Sequence, residues 1–218
     1  MSTNETFDIA GPAGRLEAVL MKPEGPPVAA AVVCHAHPLQ GGMMHFKVVF
    51  RAAKALQQQG VAALRFNFRG VGRSEGVHDK GRGEQDDVRA AAAEVRRRYP
   101  GLPLVLGGFS FGSSMALKVG CAGVGASALF ALGLPLGMLM DLKYLDSCRT
   151  PRLFVQGEND VFGGAERMRP LVERLPEPRS LVIVPGADHF FSGHLDALQQ
   201  VVADWAALRP WAAAPASA

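Results

Sequence analysis

Residues Leu104–Gly112 read LVLGGFSFG, an apolar run that closes on Gly108-Phe109-Ser110-Phe111-Gly112 and is followed by the helix-like SSMALKVG. A serine between two glycines at a strand-to-helix turn is held in a strained backbone conformation with its hydroxyl exposed. A Cβ on either glycine would collide with neighbouring chain. The helix that begins behind it offers free N–H groups and positive potential to a developing oxyanion. The chemistry this suits is nucleophilic attack on a carbonyl, and it needs a base to take the hydroxyl proton and an anion to orient that base. For a serine on such a turn, the acid follows in the chain and the histidine comes last. Leu153–Phe162 (LFVQGENDVF) supplies an acid after an apolar strand and a glycine turn. Asp160 is the candidate; Glu158, two residues nearer the strand, is its rival and reads otherwise as a solvated turn carboxylate. Beyond Asp160 only His189 and His194 remain. His189 comes directly after the strand-like SLVIV and a turn, whereas His194 opens the next helix and reads as a surface or capping residue. Ser110, Asp160 and His189 are therefore the expected catalytic group.

Those residues need a frame that delivers three separate loops to one place. Val28–Cys34 and Val61–Phe66 are continuous apolar runs, the pattern of strands covered on both faces. Leu104–Gly108, Ala126–Leu132, Arg152–Gln156 and Ser180–Pro185 are four more strand candidates, and Arg15–Lys22 alternates like a half-exposed edge strand. Between or after them lie helical stretches at Lys47–Gln59, Glu84–Tyr99, Phe111–Cys121, Gly164–Leu175 and Gly193–Leu208. Glu84–Tyr99 places carboxylates in its first turn and arginines in its last, which complements the helix dipole at both ends. Strands alternating with amphipathic helices predict an α/β fold: a mostly parallel sheet of about eight strands with helices on both faces. Ligands of such sheets bind at the carboxyl ends of the strands, where each candidate above falls.

The chain of 218 residues fits one domain, expected over residues 1–210, with a flexible tail over 211–218 (WAAAPASA). Lys plus Arg is 23 against 20 Asp plus Glu, a net charge of +3, too weak a field to propose nucleic acid or an anionic membrane as partner. The first residues carry no positive region followed by an apolar run, and no stretch of about 18 apolar residues exists to span a bilayer. Three cysteines, Cys34, Cys121 and Cys148, cannot all pair within one chain. That odd, sparse count suits a reducing compartment, and the expected address is cytoplasmic. His35-x-His37 shares one face of a strand, but Pro38 and Leu39 break the pattern of a binuclear metal site, so neither metal nor other cofactor is expected.

Together these segments resemble the α/β-hydrolase superfamily across nearly the whole chain. His35–Gly42 (HAHPLQGG) follows a strand where that superfamily places a His-Gly oxyanion loop. Leu64–Ser74 (LRFNFRGVGRS) is similar to its Asp-x-Arg-Gly-x-Gly-x-Ser signature, with Asn67 at the Asp position, and Gly186–Phe191 (GADHFF) is similar to its histidine loop. The first two strings resemble small bacterial hydrolases related to dienelactone hydrolases and short-chain carboxylesterases. Dienelactone hydrolases use a Cys nucleophile, so Ser110 argues against that exact activity. The expected oxyanion donors are the N–H of Phe111 and one N–H from the His37-Pro38-Leu39 turn. Pro38 has none, Leu39 matches the residue after His-Gly best, and His37 is the alternative. Arg65, Arg69 and Arg73 read as braces of that loop, with contact to an anionic substrate as the competing reading.

Relatives often carry a cap domain after the strand that here ends near Leu132. Only residues 133–150 precede the next strand, enough for a loop with one short helix (Met138–Cys148). A lidless, open cleft follows, lined by candidates His37, Met43, Phe109, Phe162 and Phe190, with core packing the competing reading for the apolar ones. The expectation is a serine hydrolase that cleaves small carboxylic esters through an acyl-enzyme, as a monomer or small homo-oligomer. A thioesterase or amide hydrolase with the same triad, or a non-catalytic binding protein on this fold, remain the alternatives.

Overall fold

Period-two packing explains the unbroken apolar strands. In β3 (Ala29–Cys34) every residue is buried: Ala30, Val32 and Cys34 face one core, and Ala29, Ala31 and Val33 face the other. The computed structural model describes residues 3–136 and 141–212. It contains one eight-stranded sheet built from β1 (Thr3–Gly11), β2 (Gly14–Lys22), β3, β4 (Val61–Phe66), β5 (Leu104–Phe109), β6 (Ala128–Leu132), β7 (Arg152–Gly157) and β8 (Arg179–Val184). The spatial order is β1-β2-β4-β3-β5-β6-β7-β8. Pairing is antiparallel from β1 to β2 and from β2 to β4, and parallel from β4 onward.

Helices α1 (Lys47–Gln58) and α5 (Leu195–Ala207) cover one face, and α2 (Arg82–Arg98), α3 (Phe111–Cys121) and α4 (Ala165–Arg174) the other. Alanines 52, 53 and 55 let α1 lie close to the sheet, where all three are fully buried. Order reverses between β4-β3 and β3-β5, so the connections leave β3 and β5 toward opposite faces and open a crevice at their carboxyl ends. Among the described residues, no helix is long and apolar enough to cross a membrane.

Three expectations change and one strand is added. Thr3–Gly11, where no strand is expected above, is a strand. It pairs along its whole length with β2 across the Gly11–Gly14 turn and buries Ile9, while the Arg98 guanidinium lies 3.7 Å above the Phe7 ring. Trp211, expected in the flexible tail, is buried edge-on against Trp205 with ring centroids 6.3 Å apart; residues 213–218 lie outside the described residues. The short helix expected over Met138–Cys148 is a 3-10 turn at Lys143–Leu145, and Met138–Met140 lie outside the described residues. Finally, Cys121 and Cys148 form a disulfide that ties the end of α3 to the β6–β7 connection, leaving Cys34 as the buried free thiol. The odd cysteine count thereby loses its force as an argument for a reducing, cytoplasmic compartment.

Candidate active site

Ser110 sits between β5 and α3 with φ 53° and ψ −121°, a backbone region that L-residues rarely occupy. Its N–H donates to the Leu132 carbonyl at the end of β6 (2.9 Å), and its own carbonyl accepts from Ser113 Oγ (2.6 Å) and the Ser113 N–H (3.0 Å). The flanking glycines are required by crowding. A Cβ on Gly108 would lie 2.6 Å from the Cys34 carbonyl oxygen, and one on Gly112 would lie 2.3 Å from that of His35. The turn is thus wedged against the end of β3, and the Phe111 N–H, the first of α3, has no acceptor among the described residues.

The three loops that leave β5, β7 and β8 bring Ser110, Asp160 and His189 into one hydrogen-bonded series. His189 Nε2 lies 3.0 Å from Ser110 Oγ, and His189 Nδ1 lies 2.8 Å from Asp160 Oδ2. All three residues are buried. Asp160 is held from two further sides: Oδ1 accepts the Phe162 N–H (2.8 Å) and Oδ2 accepts Gln156 Nε2 (2.8 Å). Gln156, fully buried at the end of β7, also accepts the Leu134 N–H through Oε1 (2.9 Å). Sequence reasoning misses this residue, although a lone amide ending the run LFVQ is the available signal.

Glu158 faces away from the series and accepts the Gly186 N–H (2.7 Å), so it pins the turn that leads to His189. His194 caps α5, with Nδ1 2.8 Å from the Ser192 carbonyl. Asp188 accepts the N–H groups of Phe190 (3.0 Å) and Ser192 (2.9 Å), and the Ser192 bond leads in holding its carboxyl below the ordinary range. The histidine loop is therefore built around Asp188 and fixes the backbone beside His189.

The loop after β3 corrects one expectation. The Leu39 N–H donates to His37 Nδ1 (3.2 Å), which occupies it, while the Leu39 side chain is 73% exposed. The His37 N–H has no acceptor among the described residues, so the alternative donor is the available one. The loop is stapled in place by side chains from β3 and β4. His35 Nδ1 donates to the Ala36 carbonyl (2.7 Å), and Nε2 accepts the Phe68 N–H (3.0 Å). Asn67 accepts the Met44 N–H (2.8 Å) and donates to Glu17 (2.9 Å), and Arg65 donates to the Met44 carbonyl (2.6 Å). Arg69 chelates Asp87, with Nη2 2.7 Å from Oδ1, and Arg73 pairs with Glu17. Arg65 thus holds the loop after β3 itself, while Arg69 and Arg73 tie the segment after β4 to α2 and β2.

Burial pushes the His35 pKa from 6.5 down to about 4, since an imidazolium there would lose its hydration. The unfolded chain therefore binds that proton at higher pH than the folded one. The resulting stability is present above about pH 6.5 and is lost as the pH falls toward 4, by up to roughly 3 kcal/mol. Urea unfolding midpoints are expected to drop between pH 7 and pH 4.5, and to drop less in His35→Gln. An identical pH dependence in that variant would assign the acid sensitivity elsewhere.

The candidate lining residues divide. Phe109 is fully buried behind the imidazole, 5.0 Å from the His189 ring and stacked on Phe46, so it supports the site from the core. Phe162 and Phe190 flank the His189 ring at 4.6 and 5.2 Å, and Phe190 is half exposed. Met43 is exposed on the oxyanion-side loop, and His37 packs on the Phe111 ring at 5.1 Å.

A mostly parallel eight-stranded sheet, a strained serine at a strand-to-helix turn and a β6–β7 connection too short for a cap define the class of α/β hydrolases without a lid. The chain belongs to the alpha/beta hydrolase domain family, whose model matches residues 29–203. It is similar to an alpha-beta serine hydrolase homologue from Coxiella burnetii (36% identity, 94% of this chain and 98% of that one, TM-score 0.87). It is also similar to a Xanthomonas campestris protein described as an α/β serine hydrolase without lid (34% identity, 99% and 97% covered, TM-score 0.86). An uncharacterised protein of Rickettsia prowazekii is 35% identical over 204 residues, covering 89% of this chain and 85% of that protein.

Proposed function

We propose that this hydrolase cleaves small carboxylic esters through an acyl-enzyme on Ser110. The observation that carries the reading is the unbroken series Ser110–His189–Asp160 beside two backbone N–H groups that have no acceptor among the described residues. Ser110 Oγ attacks the ester carbonyl as His189 Nε2 takes its proton, and Asp160 holds the imidazolium. The carbonyl oxygen, now an anion, accepts from the N–H groups of Phe111 and His37. His189 then gives its proton to the departing alcohol, and a water molecule, deprotonated by the same ring, releases the acid and restores Ser110. No step calls on a metal or other cofactor. The short β6–β7 connection supports small acyl groups, because a segment between Leu132 and Arg152 has little side-chain area with which to bury a long chain.

A fluorophosphonate is expected to label Ser110, located by peptide mass. Across p-nitrophenyl esters of rising chain length, kcat/KM is expected to be highest at about two to four carbons, because the cleft offers so little apolar cover. Rates that climb with chain length would overturn the small-acyl reading. Faster turnover of matched thioesters or amides would move the assignment to those leaving groups. Folded protein that resists labelling would favour a binding protein.

A further inference from the structure

The flank of the cleft beside Phe111 carries a second imidazole cluster that the reaction above does not use. His37 Nδ1 accepts the Leu39 N–H, so the neutral ring carries its proton on Nε2. His78, in the connection between β4 and α2, faces it with ring centroids 4.9 Å apart, and lies 5.9 Å from the Phe111 ring. Behind His78 stands Glu84, its side chain fully buried, with Oε1 2.8 Å from His78 Nδ1 in a contact too angled for a linear hydrogen bond. Glu84 is fixed by the N–H groups of Asp79 (2.9 Å) and Gly81 (2.8 Å). His78 Nδ1 makes no hydrogen bond among the described residues, so Glu84 sets no tautomer for the ring, and Nε2 can carry the proton. Neither Nε2 has a hydrogen-bond partner among the described residues. Capping of α2 accounts for Glu84 alone. An apolar side chain at position 78 would cover Phe111 without placing an imidazole against a buried anion.

We propose that His37 and His78 form a subsite that binds a carboxylate on the acyl half of the substrate, so that half-esters of short dicarboxylic acids are the preferred class. The inference rests on the serine-hydrolase reading. Two Nε2–H groups from these neighbouring, mutually tilted rings suit the two oxygens of one carboxylate. The acyl half is chosen because the departing alcohol must meet His189, whose ring is walled by Phe162, Phe109 and Phe190, whereas the imidazole pair sits at the oxyanion donor Phe111.

The test compares monomethyl glutarate with methyl pentanoate in a pH-stat. Wild type is expected to favour the half-ester by about 10–100-fold in kcat/KM, the range of one or two charge-assisted hydrogen bonds, mostly through KM. His78→Phe, which keeps a flat ring against Phe111, is expected to abolish that preference and leave kcat on methyl pentanoate within about twofold, since only complementary contacts to the acid are removed. His78→Gln, which retains an N–H donor, should restore part of it. In wild type, free glutarate should inhibit methyl pentanoate hydrolysis competitively, which needs no variant to fold. Equal rates for the two esters, absent glutarate inhibition, or equal losses on both esters in His78→Phe would each overturn the subsite. Absence of fluorophosphonate labelling would instead overturn the serine-hydrolase reading beneath it.

Discussion

Ser110→Ala is expected to lower kcat on p-nitrophenyl acetate by about 10⁶, while the fluorophosphonate adduct disappears. The variant loses one oxygen, and with it the attacking atom, the hydroxyl in contact with His189 Nε2. What stays behind, the Phe111 and His37 N–H groups, can polarise a bound ester for attack by water, which sets a floor of about 10³–10⁴ above the uncatalysed rate. The fold should be indifferent to the change. Alanine occupies the same positive-φ backbone that serine already tolerates, and the bonds that set the turn run through the Ser110 main chain to Leu132 and Ser113. A thermal midpoint within a few degrees of wild type, together with the lost turnover, separates loss of the nucleophile from unfolding. Residual kcat above about 10⁻³ of wild type, with contamination excluded by active-site titration, would remove Ser110 from the reaction.

The central frame was legible because each central strand needs apolar residues on both faces, and VAAAVVC or LVLGGF satisfies no other placement in a chain of this length. The helix expected near Phe111–Cys121 is α3, and the serine turn sets where it starts. β1 escaped for the complementary reason. An edge strand has one face in water, and Thr3, Asn4 and Glu5 hide the alternation that Phe7 and Ile9 carry; the turn residues Gly-Pro-Ala-Gly were the signal left unread. The three residues of the Ser–His–Asp series were readable from their order and their position after strands. Which loop N–H is free was not, because it depends on the His37 ring turning back onto Leu39, a local bond with no signature in the spacing. The same limit hid the His78–Glu84 pair, whose members approach only once α2 is capped, and the Cys121–Cys148 bond, whose partners meet through packing of α3 on the β6–β7 connection.

Asp160→Asn is expected to lower kcat by about 10⁴ with the fold intact, and the surroundings of Asp160 say why the amide cannot substitute. Three donors converge on this carboxylate: Phe162 N–H on Oδ1, and Gln156 Nε2 and His189 Nδ1 on Oδ2. An asparagine has one oxygen to offer. Placed toward Phe162 it leaves the NH₂ facing His189 Nδ1, which must then accept, so the imidazole proton moves to Nε2 and the ring can no longer take a proton from Ser110. Rotating the amide would put its oxygen toward His189 and restore the tautomer, but the NH₂ would then face the Phe162 N–H, donor against donor in a buried site. In the first placement the NH₂ also meets Gln156 Nε2, and Gln156 can turn its amide to accept only by giving up the Leu134 N–H; the backbone N–H of Phe162 cannot turn at all, so the first placement is the less costly. The variant should therefore hold the wrong tautomer, with the Ser110 hydroxyl still present for fluorophosphonate labelling at a lowered rate, whereas Ser110→Ala should not label at all. Gln156→Leu is the companion measurement: it removes the donor that opposes the introduced NH₂, so the double variant should keep the wrong tautomer and be no more active than Asp160→Asn alone. A kcat for Asp160→Asn within about tenfold of wild type would show that the carboxylate does not govern the imidazole, and Asp160 would revert to a turn residue of the β7 loop.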